Sequence, residues 1–175
     1  MEAKFFEKVS RSREFEYDNK IYCFYISPDV DILEVRNSSN EVKIIAYEIK
    51  GLNYLNRPPY YAGFDQVLAH MYISFKIKES PTNKTDSSIL TYNTKFRGSI
   101  FDYVYLVHPY TGLEFEEEIN KEAKSMAELM GVGYLIINSK RRLKELAKPK
   151  INPNVNSEAK QLFLDNIDSF KTYER

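Results

Sequence analysis

The spacing of hydrophobic residues along this chain changes between the period of a helix and that of a strand. Phe5, Phe6 and Val9 lie at helical spacing, which predicts a short amphipathic helix over residues 2–12. Three runs rich in β-branched and aromatic residues follow, and turn-forming residues precede the last of them. The pattern therefore predicts three consecutive strands in a meander, over residues 21–27, 30–36 and 42–50.

The middle of the chain predicts a loop followed by a helix. Two adjacent prolines exclude regular structure from residues 51–63. Apolar residues then recur at three- and four-residue spacing, which predicts a helix over 63–77 with one buried face. Residues 79–98 carry a proline and many small polar residues, so we expect an irregular connection there.

Strands and helices continue to alternate in the second half of the chain. A continuous apolar run over residues 100–108 is typical of a central strand covered on both faces. A long helix follows, because apolar residues recur at helical spacing, acidic residues occupy the first turn and Gly131 ends it. Residues 133–138 predict another strand, and a final helix is expected near 156–171.

Composition indicates one ordinary globular domain. The chain has 175 residues, of which 43% are hydrophobic and 29% charged, and this balance excludes a disordered chain. We expect one domain over residues 1–150, with a helical extension over 151–175 packed on it. The 25 basic and 25 acidic residues cancel, so any binding of nucleic acid must come from local patches.

Cysteine content and hydropathy favour a cytoplasmic protein. Cys23 is the one cysteine, which excludes an internal disulfide and a multi-cysteine zinc site, and its apolar neighbours indicate a buried thiol. No stretch approaches about 18 consecutive apolar residues, so we expect no membrane span and no membrane partner.

Two adjacent predicted strands carry charged side chains near their ends. In the motif Glu48-Ile49-Lys50, alternation places Glu48 and Lys50 on one face. Asp29 and Asp31 share a face of the preceding strand, and an antiparallel hairpin brings one of them beside Glu48. Two carboxylates with a main-chain carbonyl form an all-oxygen site that suits Mg²⁺ or Mn²⁺, and the Lys50 ammonium balances charge on a phosphate.

With residues 28–31 (PDVD) as the first half of a motif and residues 48–50 (EIK) as the second, the sequence resembles the PD-(D/E)xK nuclease superfamily. The resemblance covers residues 2–109, where helix, three strands, helix and strand follow in the order of that family's core. It implies a restriction-endonuclease-like α/β fold, with a mixed central β-sheet flanked by helices. It also implies Mg²⁺-dependent hydrolysis of phosphodiester bonds in DNA.

The same resemblance assigns roles to single residues. Asp31 or Asp29 would hold the metal together with Glu48, and we prefer Asp31 because it lies further into the strand. Lys50 would assist the attacking water. Gln66, on the helix after the Glu48 strand, matches the glutamine that many members place beside the catalytic residues.

Two further residues, Glu7 and His70, are weaker candidates for the site. Glu7, on the predicted first helix, matches the acidic residue that some exonuclease-like members add as a metal ligand. His70 lies one turn after Gln66 and is within reach of the same cleft. With His108 as the only other histidine, however, we expect surface or packing roles for both.

Local basic charge is the expected contact with DNA. One concentrated patch consists of Lys140, Arg141, Arg142 and Lys144. Arg57 and Tyr60 supply charge and a stacking face in the loop beside the site. Solvated surface is the alternative for the patch, and packing under the loop for the tyrosine.

Two other functions stay open at this point. A nuclease-fold module that has lost cleavage and binds nucleic acid or a protein partner is the first, favoured by the absence of net positive charge. An α/β enzyme acting on a small molecule is the second. A homodimer is compatible with all three interpretations.

Overall fold

A computed structural model describes residues 2–39, 41–51, 61–80, 93–110, 116–138 and 140–169. Within these ranges the chain forms one mixed sheet of nine strands and three α-helices. None of the described helices is long and apolar enough to cross a membrane. The elements are β1 (Glu2–Arg11), β2 (Phe15–Tyr17), β3 (Lys20–Asn37), β4 (Val42–Ile49), α1 (Phe64–Tyr72), β5 (Phe75–Glu79), β6 (Asn93–Gly98), β7 (Tyr103–Tyr110), α2 (Glu116–Met130), β8 (Gly133–Asn138), β9 (Leu143–Ala147) and α3 (Ser157–Asp165).

The sheet has the strand order β6-β5-β3-β4-β7-β8-β9, and β1 and β2 also pair with β3. Strands β4, β7 and β8 are parallel neighbours, whereas the remaining pairs are antiparallel. The two connections between parallel strands contain α1 and α2, as such crossovers require. The coarse prediction of an α/β fold with a mixed central sheet flanked by helices is therefore confirmed.

The two halves of strand β3 pair with different neighbours. Residues 22–26 pair with β5, and residues 32–37 pair with β4. Pro28, which has no amide hydrogen to donate to a ladder, lies between the two segments. The two predicted strands over 21–27 and 30–36 are thus the halves of one continuous strand.

The predicted first helix is wrong, because residues 2–11 form strand β1, antiparallel to β3. Lys8 has a φ of 51°, which interrupts the alternation of side chains along the strand. As a result Phe6 and Val9, three residues apart, are both buried, while Phe5 is 61% exposed. An irregular strand here produces the spacing that otherwise indicates a helix.

The predicted helix over 63–77 is too long, because α1 ends at Tyr72 and Phe75 begins β5. Phe75 and Ile77 are buried on one side of β5, so the alternation of FKIKE is that of a strand. The region 79–98, predicted to be irregular, includes β6, which pairs with β5. Residues 81–92, between those two strands, lie outside the described residues.

Most of the later elements agree with the sequence pattern, but strand β9 was not predicted. Strand β7 begins three residues later than the predicted 100–108 strand, α2 ends one residue before Gly131, and β8 has the predicted bounds. The final helix is α3, followed by a short 3₁₀ turn over Ile167–Ser169. Its Phe163 is buried against Phe24 and Phe75, with ring centroids 5.6 and 5.9 Å away.

Candidate active site

Glu48 is a buried carboxylate at the carboxyl end of a central parallel strand. Ile44, Ala46 and Glu48 point to one face of β4, and only 2% of Glu48 is exposed. In the parallel register Glu48 lies beside Leu106 of β7, which is also buried. A charged group in this position requires partners, because desolvation of an isolated carboxylate is costly.

Lys50 supplies one of these partners and also reaches the helix above. Its ammonium Nζ contacts both Glu48 Oε1 and Gln66 Oε1. The backbone is fixed as well, because the Lys50 amide donates to the Val107 carbonyl at 2.9 Å. The predicted grouping of Glu48, Lys50 and Gln66 is therefore present in the structure.

Gly63 allows α1 to begin this close to Lys50. A Cβ at Gly63 would lie 2.8 Å from Lys50 Cε and 2.7 Å from Leu106 Cδ1, and both distances are shorter than such atoms tolerate. The residue also has a φ of 91°, a conformation that side chains disfavour. Gly63 thus sets the approach of Gln66 to the Lys50 ammonium.

His70 completes the set of groups around Glu48. It is fully buried, and its Nε2 lies 3.3 Å from Glu48 Oε2 while its Nδ1 lies 3.1 Å from Ser74 Oγ. A carboxylate only accepts hydrogen bonds, so Nε2 is the donor to Glu48, and Nδ1 bonds the Ser74 hydroxyl. His70 holds Glu48 in place, a role that the expectation of a surface or packing histidine misses.

Asp31 lies beside Glu48 on the neighbouring strand. The antiparallel register pairs Ile32 with Tyr47, so the next pair outward is Asp31 with Glu48, on the same face. Asp31 Oδ2 accepts from the Ile49 amide at 2.7 Å, and Oδ1 contacts the Lys8 ammonium. The structure therefore brings Asp31 into the predicted cluster.

Asp29 and Lys8 lie at the exposed edge of this cluster. Asp29 is exposed, whereas the side chain of Asp31 is only 12% exposed. The hydrogen bond and charge of Asp31 raise the pKa of Lys8, and the charges of Asp29 and Glu48 act in the same direction. One ammonium on β1, which the sequence argument did not consider, thus stands within the field of three carboxylates.

Glu7 does not occupy a helix, but it still borders the cluster. In the register of β1 and β3 it pairs with Ile32, and its neighbour Lys8 is the residue level with Asp31. Glu7, Lys8, Asp31, Ile32 and Ile49 line one open pocket of about 270 Å³. Glu7 therefore lies on the rim of the site, next to Lys8 on strand β1.

The donor set of Asp31 and Glu48 fits a magnesium-type ion. Mg²⁺ typically takes one or two carboxylates and completes its shell with water and substrate oxygens. Among the described residues, no group of three or more His, Cys, Asp or Glu side chains is arranged to hold a metal. Asp31 and Glu48 would thus form a two-carboxylate site. For a metal ion to bind Asp31 Oδ1, the exposed Lys8 side chain has to leave that oxygen.

His108 forms a second buried polar network next to the site. Its Nε2 lies 2.9 Å from the Ala62 carbonyl, its Nδ1 lies 3.1 Å from Tyr134 Oη, and Tyr134 bonds Asn120 at 3.0 Å. Burial lowers the pKa of His108 and the Lys50 charge lowers it further, while the bond to Ala62 acts in the opposite direction. His108 is therefore neutral near pH 7 and holds the chain that leads into α1.

The opposite face of β3 and β4 carries a second buried carboxylate. Arg36 binds Glu34 through two hydrogen bonds of 2.7 and 3.0 Å, and Tyr47 Oη donates to Glu34 at 2.6 Å. Burial and this hydrogen bond raise the pKa of Tyr47. Glu34 is 3% exposed, so it matches Glu48 in burial but faces away from the cluster.

The predicted nucleic-acid contacts lie in two regions. Lys140, Arg141, Arg142 and Lys144 occupy the β8–β9 turn and strand β9, and all four are exposed. Arg57 and Tyr60 lie outside the described residues.

No protein-family model, curated protein or solved structure matches this chain, so a function has to be argued from the cluster itself.

Proposed function

We propose that this chain is a Mg²⁺-dependent nuclease that hydrolyses phosphodiester bonds in DNA. The observation that carries the proposal is the position of the Lys50 ammonium, which bridges Glu48 and Gln66 beside Asp31. This grouping of acid, ammonium and amide supports the proposal, because the motif of the PD-(D/E)xK superfamily brings such groups together. A nuclease-fold module that has lost cleavage would share these side chains, so cleavage itself has to be tested.

The topology around the cluster supports the same proposal. Strands β3 and β4 are antiparallel, α1 follows β4, and β7 returns parallel to β4. This order is similar to the strand, strand, helix and strand of the restriction-endonuclease-like core. The differences are strand β1 in place of the first helix and the β5–β6 hairpin before β7.

Energetics argue that the cluster serves more than folding. A buried ion pair rarely stabilises a fold more than well-packed apolar residues of similar volume do. Glu48 is almost fully buried between Ala46 and Leu106, where an apolar side chain would pack without any desolvation cost. The retained charges therefore support a chemical role at this strand end.

Each residue has a specific task in the proposed reaction. Asp31 and Glu48 would hold Mg²⁺, which when bound supplies positive charge at the scissile phosphate and lowers the pKa of a coordinated water. Lys50 places a compact charge next to Glu48, where it offsets negative charge that develops on the phosphate. Gln66 orients Lys50, and His70 fixes the second oxygen of Glu48.

DNA as the substrate class rests on the basic β8–β9 hairpin. Four cationic side chains lie there, and phosphate contacts of this kind give affinity that does not depend on sequence. The hairpin is on the same sheet as the cluster, two strands beyond β4. A continuous strand of nucleic acid would be able to contact both.

A binding module without cleavage activity is the alternative, and one observation favours it. Protein groups already contact every oxygen of the two carboxylates, through Lys8 and the Ile49 amide at Asp31 and through Lys50 and His70 at Glu48. A metal ion must displace at least one of these contacts. If none yields, the cluster is a fixed structural element.

Metal-dependent cleavage of DNA decides between the two. Plasmid and labelled single-stranded and duplex oligonucleotides are incubated with Mg²⁺ or Mn²⁺ and either the parent or a Lys50→Ala, Glu48→Gln or Asp31→Asn variant. We expect cleavage by the parent and a loss of about 100-fold or more in each variant.

Lys43→Ala is the matched control. Lys43 lies near the start of β4, whereas Lys50 directly follows its end. The side chain of Lys43 is 16% exposed against 21% for Lys50, and it pairs with Asp102 and Glu41 instead. It should leave cleavage unchanged. Equal cleavage by all variants would indicate a contaminating nuclease. No cleavage by the parent on any substrate would contradict the nuclease proposal and favour the binding module.

A further inference from the structure

A second pocket lies between α2 and the β8–β9 hairpin. Its volume is about 320 Å³, which is in the range of pockets that bind small molecules. Tyr110 and Asn138 stand at the carboxyl ends of the parallel strands β7 and β8 and line one side of it. Carboxyl ends of parallel strands are a common place for ligand sites in α/β proteins.

Strand β9 and the residue before it direct basic side chains into this pocket. Arg142, which directly precedes the strand, and Lys144 and Leu146 on it all line the pocket. Glu145 lies on the other face, where it accepts a hydrogen bond from Tyr105 at 3.3 Å. The only acidic residue of the basic segment is therefore turned away from the pocket.

Helix α2 adds two cations from the other side. Asn120, Lys121 and Lys124 occupy one side of the helix, and all three line the pocket. Lys124 lies 3.6 Å from Glu128, an exposed pair of the kind that contributes little energy. Among the described lining residues, four side chains are cationic and none is anionic.

We propose that this pocket binds the phosphomonoester of a nucleotide, either free or at the end of a nucleic-acid strand. A phosphomonoester carries close to two negative charges at neutral pH, which suits a pocket with four converging cations. Tyr110, Ile136 and Leu146 provide aromatic and apolar surface for a sugar or base next to the phosphate. The volume accommodates about one nucleotide.

The pocket is separate from the Glu48 cluster but opens on the same face of the sheet. Glu48, Leu106 and Tyr134 are level with one another across β4, β7 and β8. Asn138 lies four residues beyond Tyr134 and two strands away from Glu48, so about 16 Å separates Asn138 from Glu48 across the sheet. Ligand binding here therefore needs neither the carboxylates nor a metal ion.

Binding of adenosine 5′-monophosphate to the whole chain, in a metal-free buffer with chelator, tests the proposal by calorimetry. We expect measurable affinity for the monophosphate and about tenfold weaker or undetectable binding of adenosine. The double variant Arg142→Gln/Lys144→Gln should lose about tenfold or more of the affinity for the monophosphate. Both residues are exposed, so thermal unfolding should be unchanged in this variant.

The adjacent cations provide a matched control. Lys140→Gln/Arg141→Gln removes the same net charge from the same hairpin, but neither residue lines the pocket. This variant should bind the monophosphate within about twofold of the parent at moderate salt. Equal losses in the two double variants, or equal binding of adenosine and the monophosphate, would overturn the proposal.

Oligonucleotides distinguish the two sources of the phosphate. A single strand with a terminal phosphate is compared with the same strand lacking it, again without metal so that no cleavage takes place. A preference for the phosphorylated strand that Arg142→Gln/Lys144→Gln abolishes indicates a strand end, whereas binding of the monophosphate alone indicates a free nucleotide. If neither ligand depends on Arg142 and Lys144, the proposal is wrong whatever the outcome at Glu48.

Discussion

His70 Nε2 lies 3.3 Å from Glu48 Oε2, and both side chains are excluded from solvent. The pair joins the last turn of α1 to the end of β4 through two polar groups that water does not reach. Removing either partner leaves the other buried and unsatisfied, which costs more than the hydrogen bond itself contributes. The relation therefore predicts strong energetic coupling between the two residues.

We expect His70→Leu to lower the free energy of unfolding by about 2 to 3 kcal/mol, because Oε2 of the buried Glu48 carboxylate loses its donor while Oε1 keeps Lys50. In the Glu48→Gln background the same substitution should cost about 1 kcal/mol less, since a neutral amide is easier to leave unpaired. Urea denaturation of the four proteins measures this coupling.

Glu34→Gln provides the control for that double-mutant cycle. Glu34 is as buried as Glu48 but lies on the opposite face of the sheet with Arg36 and Tyr47. Its effect should add to that of His70→Leu within about 0.5 kcal/mol. Additivity of His70→Leu with Glu48→Gln as well would contradict a direct interaction.

The lowered pKa of His108 predicts a loss of stability in mild acid. Burial keeps the folded side chain neutral below its ordinary value of 6.5, whereas the unfolded chain takes up a proton there. Stability is therefore complete above about pH 6.5 and falls as the pH decreases below it, by up to about 1.4 kcal/mol per pH unit.

His108→Gln should flatten this dependence between pH 7.5 and 5.5, because glutamine does not titrate and still has a donor for the Ala62 carbonyl. Urea denaturation at the two pH values compares the slopes of parent and variant. A variant that keeps the full slope would assign the pH dependence to other groups.

The sequence predicted the residues of the cluster better than the shape of the chain around them. Glu48 and Lys50 share a face because strand alternation is a local property, and the antiparallel turn then fixes Asp31 beside them. The relations within the hairpin are those that periodicity describes well. Gln66 lies in the first turn of α1, and only the resemblance to the nuclease superfamily predicted it beside Lys50.

The errors arose where tertiary packing overrides local spacing. Phe6 and Val9 are both buried in an irregular strand. This strand, β1, pairs along the edge of β3, and no local sequence pattern reveals that pairing. The contact of Lys8 with Asp31 depends on that pairing, so it was missed for the same reason. His70 was considered and set aside, since nothing local indicates that a helix will press it onto Glu48.

Asp31 and Asp29 should differ sharply in metal binding. Asp31→Asn should weaken Mn²⁺ binding by about tenfold or more, because it removes a carboxylate that is held level with Glu48. Asp29→Asn changes the same charge two residues away on an exposed side chain, and it should alter the affinity by less than about threefold. Calorimetric titration with Mn²⁺ gives both values, and the reverse order would move the site to Asp29.

Lys8 is expected to compete with the metal ion. Its ammonium contacts Asp31 Oδ1, and the raised pKa of Lys8 shows that it is held there as a cation by that carboxylate. Lys8→Ala should therefore increase the affinity for Mn²⁺ by about three- to tenfold, because the ion no longer displaces a bound charge and meets less electrostatic repulsion. The same calorimetric titration measures the change.

Lys4→Ala separates this local competition from a change in net charge. Lys4 is exposed on the same strand and pairs with Val35, away from the carboxylates. Its removal should change Mn²⁺ affinity by less than about twofold, since screening at moderate salt weakens distant charges. A decrease in Mn²⁺ affinity for Lys8→Ala would mean that Lys8 instead organises the carboxylates for the metal. Equal increases for Lys8→Ala and Lys4→Ala would show that the change in net charge alone is the cause.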